Sequence, residues 1–93
     1  MARLIRFKAR FRRAFRRLSP DEQGAVDTAI RQFADFLLTG ALPAGLGLKK
    51  LGGRTYEFRA GLRLRIVYQD EGEVLLFVLV GNHEDVRRFL REA

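Results

Sequence analysis

The sequence predicts an α+β domain: two N-terminal helices packed on one face of a mostly antiparallel sheet, then a short C-terminal helix. Three observations carry this prediction. Residues 45–83 break into short alternating or β-branched runs separated by glycine-bearing turns, the pattern of an antiparallel meander. Ahead of them, apolar residues recur at helical spacing behind a capping sequence at Ser19. Behind them, Asn82 opens a last segment whose apolar residues again lie on one side.

The 93 residues suit one domain with a single modest core, and a hydrophobic share of 47% rules against disorder. Without cysteine there is neither a disulfide nor a thiolate zinc site, and the cytoplasm is the expected compartment. One histidine is too few for a His-built metal centre, and no cofactor is expected. No apolar run approaches the roughly 18–20 residues of a membrane span, so no membrane partner is expected. The net charge of +7 points to a polyanionic partner. Arginine predominates, which suits phosphate recognition by forked guanidiniums, although a genome rich in Ala, Gly and Leu codons gives the same bias.

Taken in order, residues 3–17 hold eight bases (Arg3, Arg6, Lys8, Arg10, Arg12, Arg13, Arg16, Arg17) and no acid. Leu4, Phe7, Phe11, Ala14, Phe15 and Leu18 suit one continuous helix. They equally suit a short strand over 4–8 feeding a helix over about 9–18. An acid-poor, Arg-rich start is also what an organellar presequence shows, but the pattern runs into the next helix without a cleavage-like break. Ser19-Pro20-Asp21-Glu22 combines a capping residue, a first-turn proline and the glutamate of a capping box. Val26, Ile30, Phe33 and Leu37 form the stripe of this scaffold helix, which Gly40 and Pro43 end. A linker then leads to a strand over residues 46–51.

Tyr56 and Phe58 share one face of the next strand, Glu57 and Arg59 the other. After the turn, Leu62, Leu64, Ile66 and Tyr68 oppose Arg63, Arg65 and Val67. Cross-strand partners lie on one face, so only a loop of odd length keeps the two sets apart. A three-residue loop over 60–62, with Gly61 in the awkward conformation, would pair Phe58 with Leu64 and Glu57 with Arg65. One sheet face is then greasy and the other cationic. Val74 to Val80 is apolar on both sides and reads as a strand covered on both faces, after a turn at Asp70-Glu71-Gly72. In the last helix Val86, Phe89 and Leu90 turn inward, and Arg87, Arg88 and Arg91 outward.

Leu48-Lys49-Lys50-Leu51-Gly-Gly, Tyr56-Glu57-Phe58-Arg59, Arg65-Ile66-Val67-Tyr68 and the closing Gly81-Asn82-His83 resemble the RelE/ParE superfamily of type II toxin–antitoxin toxins. The likeness spans nearly the whole chain. It implies a first strand over 3–8 and a helix over 11–18. It implies either messenger RNA cleavage on the ribosome without a metal, as in RelE-, YafQ- and HigB-like members, or gyrase poisoning, as in ParE-like ones. It also implies a cognate antitoxin. Arg65 matches an arginine that RelE-like members use near the scissile phosphate, and His83 matches the catalytic histidine of the YafQ-like branch. Arg59 and Arg63 stand roughly where that branch has a histidine and an aspartate.

Metal-free RNA cleavage needs a base for the 2′-hydroxyl, cations for the crowded phosphorane and an acid for the 5′-oxygen. The catalytic candidates are therefore His83, Arg65 and Arg59, imidazole being suited to proton transfer near neutrality. Lys49, Lys50, Arg54 and Arg63 are candidates for gripping phosphates, with Glu57 and Tyr68 as possible support. Plain alternatives accompany each: a capping or surface role for His83, a solvated face for the cations, core packing for Tyr68. A small RNA-binding domain without toxicity is the weaker functional reading.

Overall fold

The computed structural model describes residues 3–92, in the order β1 (Leu4–Phe7), α1 (Ala9–Arg16), α2 (Pro20–Thr39), β2 (Lys49–Gly52), β3 (Thr55–Ala60), β4 (Leu64–Asp70), β5 (Val74–Gly81) and α3 (His83–Glu92). The strands form one sheet ordered β1-β5-β4-β3-β2. Only the β1–β5 pair is parallel. No helix among the described residues is long and apolar enough to cross a membrane.

The first segment is thus a strand and a helix, not one helix. Leu4 to Phe7 pairs in register with Val74 to Phe77, and the Lys8 amide donates to the Phe77 carbonyl at 2.9 Å. That bond turns the chain out of the sheet, and α1 begins at Ala9, two residues before the expected Phe11. The α2 start follows the capping box: Ser19 Oγ accepts from the Glu22 amide at 3.2 Å, and Glu22 Oε1 accepts from the Ser19 amide at 2.9 Å. Gly40 ends the helix at φ 76°, donating to the Phe36 carbonyl at 2.8 Å.

Both helices cover the face carrying Phe58, Ile66, Tyr68, Leu75 and Phe77. Phe33 is its centre, fully buried and stacked on Phe58 at 4.5 Å between centroids, with Tyr68 at 5.0 Å and Phe77 at 5.9 Å. Burying each such ring contributes about 2–3 kcal/mol.

The opposite face is not the open cationic surface expected. α3 packs on it through Val86 and Phe89, closing a second small core with Val67, Val78, Leu79 and flanking Leu51 and Leu76. Helices on both sides explain why β5 is apolar throughout. Cationic side chains remain on this face around that core, Arg59 and Arg65 at one end of the sheet, Lys49 beside Glu57, and Arg6 on the edge strand opposite Leu76.

Three further boundaries differ from expectation. The strand placed at 46–51 begins only at Lys49; Leu46 is buried in the preceding loop, where its carbonyl accepts from the Arg59 amide at 2.7 Å. The β3–β4 loop has three residues, as parity requires, but they are 61–63. The pairs are Phe58↔Ile66, Arg59↔Arg65 and Ala60↔Leu64. Leu62 consequently leaves the apolar face and stands fully exposed, and Arg63 belongs to the turn. Leu90 is 40% exposed, on the rim of α3 rather than beneath it.

Candidate active site

The register of the two hairpins builds a row across three strands. Arg59 on β3 pairs with Arg65 on β4, and Arg65 pairs with Gly81 on β5. Neighbouring strands lie about 4.8 Å apart, so both guanidiniums rise from adjacent positions on the α3 side. Gly81 ends β5, and two residues later His83 opens α3, exposed to solvent.

A reciprocal cap fixes that corner. Asn82 Oδ1 accepts from the Asp85 amide at 2.9 Å, and Asp85 Oδ2 accepts from the Asn82 amide at 2.8 Å. Asp85 folds back so closely that a Cβ on Gly81 would lie 2.6 Å from its carboxylate oxygen. Only glycine permits this approach, and His83 takes its position from it.

The next row reads Lys49, Glu57, Val67, Leu79. Glu57, 4% exposed, is the one buried acid among the described residues, and its Oε2 accepts from Arg65 Nη1 at 2.7 Å. The pair runs diagonally, since Glu57 lies opposite Val67 and not opposite Arg65 as the expected register had it. Arg65 is thereby held by one edge of its fork, with the other edge left for an anion. Arg59 makes no ion pair among the described residues. Its methylenes run across Gly47, where a Cβ would meet Cγ and Cδ at 3.1 Å and φ is +64°. The loop before β2 thus steers Arg59.

The other candidates are distributed. Lys49 is exposed on the same face, beside Glu57, while Lys50 pairs with Tyr56 and points the other way. Arg63 lies in the turn two residues before Arg65. Arg54 precedes β3 at its opposite end, five residues or roughly 17 Å from Arg59. Tyr68 lies on the α2 face, 5% exposed and stacked with Tyr56 at 5.4 Å. Burial, then the neighbouring Asp70 charge, pushes its phenol up to about 12. The sheet separates it from Arg59 and Arg65. Among the described residues no three His, Asp or Glu side chains gather where they could hold a metal ion.

Gly47 and Asp85 were not among the site residues expected from the sequence, and Gly81 entered only as part of the closing Gly81-Asn82-His83 motif. The one signal available was Asn82-x-x-Asp85, a capping pair at the spacing of a capping box.

No protein-family model matches this chain, and no curated protein does. Solved structures do. YafQ from E. coli strain BL21(DE3) aligns with a TM-score of 0.64 over 90% of this chain and 97% of its own, at 14% identity. A chain of the RelB–RelE antitoxin–toxin complex from Methanococcus jannaschii gives 0.67, over 89% and 95%, at 16% identity. The E. coli toxin RelE, a double mutant in the free state, gives 0.65, over 97% and 93%, at 23% identity. Each match is near full length on both sides, and at these identities the likeness is one of architecture. The chain has the RelE-like α+β fold shared by YafQ and RelE.

Proposed function

We propose that this chain is the toxin of a type II toxin–antitoxin pair and cleaves messenger RNA on the ribosome, without a metal. The observation that carries the reading is the Arg59–Arg65–Gly81 row with His83 at its end, in a fold shared with toxins crystallised alone and with their antitoxins. In the reaction the 2′-oxygen attacks the adjacent phosphorus and loses its proton, and the bond to the 5′-oxygen breaks as that oxygen gains one. A 2′,3′-cyclic phosphate and a 5′-hydroxyl result. Arg65 and Arg59 offer charge to the phosphorane, where fixed cations act most strongly. Glu57 holds Arg65 in place. His83 exchanges one of the two protons, as acid or base.

No second imidazole is present in the chain to handle the other proton. A site with one proton carrier fits a reaction completed on the ribosome rather than on free RNA. The cognate antitoxin, acidic or helical, would cover this cationic end of the sheet. The rival reading is a gyrase poison that uses the same fold for binding alone. Expression in a bacterial host separates them. Primer extension should show broken translated messages with plasmid DNA intact, and co-expressed antitoxin should restore growth. Gyrase-linked DNA breaks with intact message would replace the nuclease reading by the gyrase one.

A further inference from the structure

A cleft of about 740 Å³ opens at the end of the sheet where β4 begins and β5 ends, between α1 and α3. Arg10 and Arg13 reach it from α1, Arg17 from the C-cap of that helix, Arg63 from the β3–β4 turn and Arg88 from α3. Arg10, Arg13 and Arg17 recur at 3-4 spacing and so share one helix face. Three acids also line it, and each is engaged. Glu92 pairs with Arg10 at 2.9 Å, Asp85 caps α3 and lies 3.3 Å from Arg88, and Glu22 closes the α2 capping box. Arg13, Arg17 and Arg63 have no ion-pair partner among the described residues. Leu64 and Val80 from the α2-side core and Leu79 from the α3-side core line its inner end, each more than nine-tenths buried. Unpaired guanidiniums around one concavity repel each other, and low-dielectric walls focus their field on whatever anion enters.

The cleft meets the catalytic row. Gly81 and Asn82 line it, and Arg63 is two residues, at most about 7 Å of chain, from Arg65. We infer that this cleft is a second phosphate subsite. It would hold the nucleotide next to the scissile one, with Arg13, Arg17 and Arg63 on its backbone phosphates. The inference rests on the RNA-cleaving reading for its ligand, single-stranded RNA, but binding tests it separately from cleavage.

The experiment measures fluorescence anisotropy of a labelled single-stranded oligoribonucleotide with the full chain across a salt series. One variant carries Arg13→Ala, Arg17→Ala and Arg63→Ala. A second loses the same charge elsewhere through Arg12→Ala, Arg31→Ala and Arg91→Ala. All six side chains are exposed, and circular dichroism checks both folds. The cleft variant should lose affinity by about ten-fold or more near 0.15 M salt. Its slope of log K against log salt should become shallower by about 2, from three contacts at ~0.7 each. The second variant should stay within a few-fold of wild type. Equal losses in the two variants, or no loss in the cleft variant, overturns the subsite. Tighter binding of an acidic peptide of equal charge, lost in the same cleft variant, overturns the RNA assignment in favour of a protein segment. His83→Gln should bind the oligoribonucleotide like wild type while failing to cleave ribosome-bound message. If it cleaves normally, the catalytic proposal falls and the cleft result stands on its own.

Discussion

Phe33 lies against four other aromatic rings and has no exposure, so its removal leaves a void that no neighbour can fill. Phe33→Ala should cost about 3–5 kcal/mol in chemical denaturation, a large fraction of the stability of a domain this size. Glu57 is the other side chain whose environment decides its effect. Glu57→Ala strands Arg65, only 25% exposed, without its carboxylate. A loss of about 1–3 kcal/mol is expected, below that of a fully buried pair because Arg65 keeps some water. Glu57→Ala should also weaken cleavage beyond what its stability change explains, since the Arg65 fork is then free to swing. At this scale the sequence was most readable where a residue's type is rare or its periodicity plain. The single histidine, the alternating arginines and the Phe33 stripe all show in the pattern. Gly81 and Asp85 did not, because their importance lies in a 2.6 Å approach that no periodicity encodes.

Among the elements, α3 carries the greatest consequence for the site. It is joined to the sheet by Val86 and Phe89, to α1 by Arg10, which pairs with Glu92 and lies 5.1 Å from the Phe89 ring centre, and to β5 by the Asn82–Asp85 cap. Gly81→Ala would drive a methyl into Asp85, breaking the cap and moving the start of the helix. The expected result is a stability loss of about 1–2 kcal/mol from the lost cap, with a larger loss of cleavage as His83 shifts. Asp85→Ala, which loses the cap without the clash, should show the smaller defect; equal stability of Gly81→Ala and wild type would contradict the packing described here. Element types followed from the chain because capping and alternation are local. Register did not, because parity allows loops at 60–62 and 61–63 alike, and only the packing of Phe58 beside Ile66 and Ala60 beside Leu64 decides between them. Similarly, Leu46 looks like strand by composition but is buried from a loop, its carbonyl tied to Arg59. The cover over β5 was legible in its unbroken apolar run, but its extension by α3 over β4 was not, since Val67 sits in the set read as cationic with Arg63 and Arg65.

For the molecule as a whole, charge bears on stability and, under the proposed function, on the partner. Arg3 ties the start of the chain to the β4–β5 turn by pairing with Asp70 and donating to the Gly72 carbonyl at 2.9 Å. The Arg3 hydrogen bond, then the Gly72 amide, holds the Asp70 carboxyl below the usual range. A carboxyl lowered on folding stabilises fully above its unfolded value near ~3.9 and loses that contribution as pH falls through its folded value. The melting-temperature gap between wild type and Asp70→Asn should therefore be widest near neutrality and close in acid below about pH 4. An unchanging gap would mean that the pair is structural without being ionic. The net charge of +7, by contrast, is spread over surfaces that a neutral core does not need, and the proposed activity gives it a polyanion to meet. The central claim is that His83 and Arg65 act together on a ribosome-bound message. Its most direct test is primer extension on message in a reconstituted translation system, comparing wild type with natively folded His83→Gln, Arg65→Ala and Arg65→Lys. The prediction is clear cleavage by wild type and a loss of ~10²–10⁴ in rate for His83→Gln. Arg65→Ala should be similarly impaired and Arg65→Lys poorly rescued, because a point charge does not replace the fork. Wild-type cleavage by His83→Gln and Arg65→Ala, or no cleavage by wild type itself, would contradict it.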